Sequence, residues 1–337
     1  MHAITAFALA TVFSLAALAQ GPAHAEDFYQ GKSLTIVVGY TAGGGYDINA
    51  RLVSRHIGKY IPGNPNVVVV NMPGAGSLRA LEHLERHAAR DGTVITLFDY
   101  TQITNSLLTP GKVPIDFRKF KWIGSVAQDL AVCYVWHTIK ATTIADLRRL
   151  PKIHMGRTNP GTSSDTQQRI LRKLFKVNVH SVAGYPGSAE GFVAVERGEL
   201  EGGCMTWASL PRHWIADKKI TPIMRITPAT APDLSASVPS AFDLLADDRD
   251  RKILRVLSAA GEVGKPFVTH IAVPDERVAI LRKAFAAMVQ DPAFAADAAK
   301  QRQPVSPTLG PEATKILDEV YATPDDIIAA ARAVASD

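Results

Sequence analysis

Apolar positions along the chain follow two periods, and each change of period marks a strand handing over to a helix. Leu34–Gly39 (LTIVVG) is a short β-branched run that predicts a buried strand. The turn Thr41-Ala42-Gly43-Gly44-Gly45 follows. Asp47 then stands where a helix N-cap is expected, with Ile48, Leu52 and Ile57 at roughly helical spacing. Val67–Val70 predicts a second strand, Leu78, Leu81 and Leu84 one face of a helix, and Thr93–Phe98 a third strand. Strand, glycine loop, helix, strand is the pattern of parallel βαβ units.

The device recurs beyond about residue 125. Ala131–Trp136 reads as a strand, Thr143–Leu150 as a helix closed by Pro151, and Lys152–Gly156 as a short strand. The loop Arg157–Ser164 opens a helix bearing Ile170, Leu171, Leu174 and Phe175. Val177–Val182 predicts a strand running into Gly184–Ser188 and a helix through Arg197, and Ile220–Ile226 a further strand. Residues 228–250, rich in Pro, Ala, Ser and Asp, read as a connecting excursion. Strand character resumes at Val268–Val273, a helix starts at Pro274 and Asp275, and helical pattern covers Pro311–Ala335.

Composition narrows the class. The 337 residues are 47% hydrophobic and 20% charged, a globular balance. The net charge of +5, from 37 basic and 32 acidic residues, is dispersed; it speaks against nucleic acid as a partner and mildly for small anions. Met1–Ala25 holds no Asp, Glu, Lys or Arg, carries an apolar run from Ile4 to Ala19, and ends Ala23-His24-Ala25. It is expected to be a signal peptide cut after Ala25, which places the chain in the periplasm. Cys133 and Cys204 lie in apolar, strand-like runs. They could pair in an oxidising compartment or be two buried small hydrophobes, and the reading leans toward no bridge.

A glycine loop at a helix N-terminus offers unpaired N–H groups and the positive end of the helix dipole, so it can hold a carboxylate without a charged side chain. Nucleotide motifs fail: Gly43-Gly44-Gly45 and Gly74-Ala75-Gly76 lack the third glycine of the dinucleotide fingerprint. No catalytic constellation or cofactor motif assembles. His83 and His87, four apart on a helix, could share a metal as ligands of a periplasmic metalloenzyme, but a solvated helix face is the simpler reading.

LTIVVGYTAGGGYDINAR, VVVNMPGAGSLRA and ARDGTVITLFD, followed by HMGRTNPGTSSDTQQRILRKLF, VNVHSVAGYPGSAEGFVAVERGELEGG and IAVPDERVAILRKAF, resemble in order and spacing the solute-binding receptors of tripartite tricarboxylate transporters, the Bug family. The resemblance covers essentially the whole chain after residue 25. It implies an α/β, type II periplasmic-binding-protein fold: two lobes with central mixed sheets and a ligand cleft between them. Residues 26–125 and 251–337 would form one lobe and 126–250 the other. It also implies a monomer that captures a small organic carboxylate, performs no chemistry, and delivers its ligand to the membrane subunits of such a transporter. A sensory role, feeding a membrane kinase, would use the same site.

Two loops act as pincers in that family. Here the first maps to Tyr40, Thr41, Ala42, Gly43, Gly44 and Gly45, and the second to Arg157, Thr158, Asn159, Gly161, Thr162 and Ser163, with the loop Gly184–Ser188, Tyr185 and Gly187 among it, closing one wall. Three departures stand out. Thr41 replaces a proline. Arg157 replaces a small residue, and would either fork onto a distal carboxylate or point to solvent. Glu201 replaces an aspartate that could orient cleft water.

Overall fold

The computed structural model describes residues 28–227 and 230–336, so the expected signal peptide and its cleavage point lie outside the described residues. The chain opens with β1 (Ser33–Val38), α1 (Gly45–His56), β2 (Asn66–Asn71), α2 (Leu78–Arg86), β3 (Val94–Leu97), α3 (Thr101–Leu108) and β4 (Lys121–Ser125). A second series follows: β5 (Ala131–Trp136), α4 (Ile144–Arg149), β6 (Ile153–Gly156), α5 (Ser163–Lys173), β7 (Val179–Val182), α6 (Ser188–Glu196), β8 (Gly202–Thr206), α7 (Arg212–Ala216) and β9 (Ile220–Arg225). The chain closes with α8 (Ala241–Leu244), α9 (Asp248–Ser258), β10 (Pro266–Thr269), α10 (Asp275–Val289), α11 (Pro292–Lys300), β11 (Thr308–Leu309), α12 (Gly310–Tyr321) and α13 (Asp325–Ala335).

These strands build two mixed sheets, ordered β11-β4-β10-β3-β1-β2 and β7-β6-β8-β5-β9. β1 pairs in parallel with β2 and β3, as βαβ connections require, while β10 runs antiparallel between β3 and β4. Ile36, Val38, Ile95, Leu97 and Phe267 of the first sheet pack against Leu52 and Val53 of α1 and Leu281 and Phe285 of α10. In the second sheet Ala131, Cys133, Met155 and Cys204 pack on Ile170 and Leu171 of α5. That core also takes Leu254 and Leu257 of α9 and Ala331 and Val334 of α13. The stretch from 251 onward therefore sends two helices to the second sheet while β10, β11, α10 and α12 serve the first.

The cysteines correct one expectation. In the antiparallel pair β5–β8 Cys133 stands directly opposite Cys204, and the two form a disulfide. Their runs were seen separately in the sequence; only the register places their Cβ atoms face to face. The last helical stretch also divides, into α12 and α13, because Pro324 cannot donate into a continuing helix and disfavours helical backbone at Thr323.

Candidate functional site

Two helices, one beside each sheet, begin with the same device. Gly43, Asp47 and Arg51 recur at equal spacing as Gly161, Asp165 and Arg169. Gly43 and Gly161 take φ values of 83° and 77°, in the left-handed region that favours glycine. Each donates its N–H back to the aspartate in the first turn of its own helix, at 2.9 Å to Asp47 and 2.7 Å to Asp165. Arg51 and Arg169 donate to the same carboxylates at 2.9 Å.

This corrects the reading of Asp47 as an N-cap. The cap is Gly44, and Asp47, three residues on, fastens the loop instead. Asp47 is 2% exposed. Burial alone would raise its carboxyl, but the bonds from Arg51, the Gly43 N–H and Asn71 outweigh that and hold it below the usual range. Arg157 does not point to solvent, its side chain being 14% exposed. It pairs with Asp165 at 2.6 Å, adding a third donor group to the second loop's aspartate.

The two lobes close on each other above these loops. A Cβ on Gly45 would lie 2.0 Å from Ser209 Oγ, and one on Gly187 2.2 Å from Thr41 Oγ1. Between them lies a cavity of about 60 Å3. Of the residues singled out by sequence, Tyr40, Gly44, Gly45, Thr158 and Ser163 wall it. Thr41, Ala42, Gly43, Arg157, Asn159, Gly161, Thr162, Tyr185, Gly187 and Glu201 do not line it. Thr162 is instead the buried cap of α5, bonded to the Asn159 carbonyl and to Thr158. Glu201 accepts from the N–H and ring of His154 at 2.8 and 3.0 Å, so it faces a neighbouring strand.

Ser188, the last residue of the loop expected to close one wall, also lines the cavity, while Tyr46, Ser164, Met205, Thr206, Ser209 and Lys265 were missed by sequence reasoning. Lys265 is 3% exposed, with its ammonium 4.5 Å from the centre of the Tyr46 ring, 3.3 Å from Thr206 Oγ1 and 3.5 Å from Asp129. Tyr46 stacks on Tyr40 with centroids 4.9 Å apart, and its buried hydroxyl has no partner among the described residues. Burial, with the Asp99 charge behind it, pushes the hydroxyls of both tyrosines far above the usual range. Asp99, at the carboxyl end of β3, is fully buried and accepts from Tyr40 at 2.6 Å and from the Ser163 N–H and hydroxyl at 3.0 Å each. The sequence reading passed over it; the signal that could have found it is its place after β3, since ligand-binding groups in open α/β sheets gather at that end of the strands. A lysine heading an apolar strand (GKPFV) was the equivalent clue for Lys265.

The N–H groups of Gly44, Gly45 and Tyr46 precede the first turn's internal bonds, and among the described residues none accepts from them. A larger cavity of about 630 Å3 shares Thr206 and is walled by Trp207, Asp233, Arg302 and Gln303, where Arg302 is paired to Asp233 at 2.9 Å. His83 and His87 lie with ring centres 6.1 Å apart. Among the described residues no group of three His, Cys, Asp or Glu could hold a metal, and no helix is long and apolar enough to cross a membrane.

Two mixed α/β sheets closed over a cavity walled by helix N-termini define a periplasmic-binding-protein fold. Within that fold the neighbours are the TctC- and Bug-type binding proteins, in line with the resemblance read from the sequence. The periplasmic binding protein BugD superposes with a TM-score of 0.71 at 19% identity, over 90% of this chain and 97% of its own. MatC from Rhodopseudomonas palustris, solved with bound malate, gives 0.70 at 17% identity, over 90% and 99%. A second R. palustris protein, solved with adipate, gives 0.69 at 19% identity, over 90% and 96%. In sequence, a UPF0065 protein from the TAR-I ttuE-ttuC' intergenic region of Agrobacterium vitis is 25% identical over 187 residues. That match spans 54% of this chain and about half, 53%, of the relative. No family model matches the chain.

Proposed function

We propose that the protein is a periplasmic receptor that traps a small organic carboxylate between its lobes and passes it, chemically unchanged, to a membrane transporter of the tripartite tricarboxylate kind. The observation that carries this reading is the free start of α1. The residues that carry its unclaimed N–H groups wall a cavity that is also walled by the buried Lys265. Helix dipole, amides and ammonium all favour a negative group there. Malate and adipate, bound by two of the structural neighbours, are carboxylates, which supports the same class of ligand.

Capture would work by closure. Groups from both lobes wall the cavity, Gly44 and Lys265 from one and Ser188 and Ser209 from the other, so a bound anion stabilises only the closed arrangement. The test is a thermal-shift screen of the purified protein against small carboxylates and their amides. A ligand at a hundred times its dissociation constant adds about 2.7 kcal/mol. The expected outcome is a shift with an acid and none with its amide; equal shifts with both would contradict anion capture.

A further inference from the structure

We infer that Asp99 is a built-in carboxylate occupying the anion-binding start of α5, so that the cavity takes a ligand with a single acidic group. This rests on the capture site proposed at α1. The two helix starts match in sequence and in fastening, yet what meets them differs. At α1 the Gly44, Gly45 and Tyr46 amides are unclaimed among the described residues. At α5 the Ser163 N–H and hydroxyl both donate to Asp99 Oδ2 at 3.0 Å, and Tyr40 donates to the same oxygen at 2.6 Å. Asp99 Oδ1 accepts from the Thr101 N–H and hydroxyl at 3.0 and 2.6 Å.

Five donors saturate a carboxylate, and the group is 0% exposed. Asp99, reaching from the first sheet to a helix of the second, therefore does at α5 what a ligand carboxylate would otherwise do. Tyr40 and Ser163 both wall the cavity, so this negative charge lies directly behind that wall. A second ligand carboxylate at this end would find its donors taken and a like charge facing it in a low-dielectric setting, a costly arrangement.

The opposite end is built for one anion. The Lys265 ammonium makes two long polar contacts, at 3.3 and 3.5 Å, and lies over the Tyr46 ring, whose hydroxyl has no partner among the described residues. The cavity of about 60 Å3 equals the space of roughly four waters at 15 Å3 each. A short-chain monocarboxylate fits this chemistry and size.

Calorimetric titration with length-matched pairs tests it: propionate against succinate, and butyrate against glutarate, on the purified protein and on Asp99→Ala. The unaltered protein should bind the monoacid at least tenfold more tightly than its diacid. Asp99→Ala should narrow or invert that ratio, and added formate, filling the vacated position, should restore it. Tighter or equal binding of the diacid by the unaltered protein overturns the inference alone, as does a folded Asp99→Ala that keeps the original ratio. Should that variant fail to fold, the ratio in the unaltered protein decides. Binding of neither acid would sink the capture proposal itself.

Discussion

Gly45 shows how closely the lobes meet: the Cβ of an alanine there would collide with Ser209 Oγ, which belongs to the opposite lobe. The clash exists only when the lobes are shut, so Gly45→Ala is expected to fold normally and lose ligand affinity at least tenfold by calorimetry. Unchanged affinity would mean that binding does not require this closure. Asp47 acts locally. Its buried carboxylate holds the Gly43 N–H, Arg51 and Asn71 together, and Asp47→Ala removes the charged acceptor that these more exposed donors share. A loss of about 1–3 kcal/mol in denaturant unfolding is expected. The identities of Gly43, Gly44 and Asp47 announced an anion-binding loop in the sequence, but Asp99 and Lys265 did not stand out. Their meaning depends on what the fold brings beside them, Ser163 in one case and the Tyr46 ring in the other.

At the level of elements, β-branched runs and glycine loops made most strands legible, and Ala131–Trp136 coincides with β5 residue for residue. β4 (Lys121–Ser125) escaped notice because Lys, Gly and Ser interrupt its apolar pattern, although β10 and β11 pair with it on either side. The repeat of Gly43-Asp47-Arg51 in Gly161-Asp165-Arg169 was also missed, since the residues between are unrelated and only the fastening bonds reveal the equivalence. The cross-strand disulfide depends on register in the same way. It links residues 71 apart in sequence, and its removal is expected to cost about 2–4 kcal/mol. A guanidinium melt with and without reductant reads this directly: the midpoint should fall under reducing conditions, and an unmoved midpoint would show that the bridge contributes nothing.

For the whole molecule, titration sets the window of stability. Several carboxyls are held below their usual range. The Arg55 guanidinium, with His56 and Gln301, lowers Asp297 to about 2 against burial; Lys59, the Ala293 N–H and Tyr60 lower Asp291; and Asp47 follows as described. A folded carboxyl that gives up its proton more readily than the unfolded one stabilises the fold above about pH 4 and loses that contribution as pH falls toward 2. Tyr40, Tyr46 and Tyr100 show the opposite sign: burial keeps them neutral, so unfolding gains favour as pH rises above about 10, where the unfolded hydroxyls ionise. Thermal midpoints should be level between these limits and fall on both sides; a midpoint that held beyond pH 11 would contradict the buried tyrosines.

The central claim is that the start of α1 receives the anion. Backbone amide NMR of the purified protein during titration with the acid that binds most tightly tests this at the atoms concerned. The Gly44, Gly45 and Tyr46 amide resonances should move most and saturate together with the heat of binding. Saturating binding that leaves those three amides in place, while others move, would put the ligand elsewhere and contradict the account.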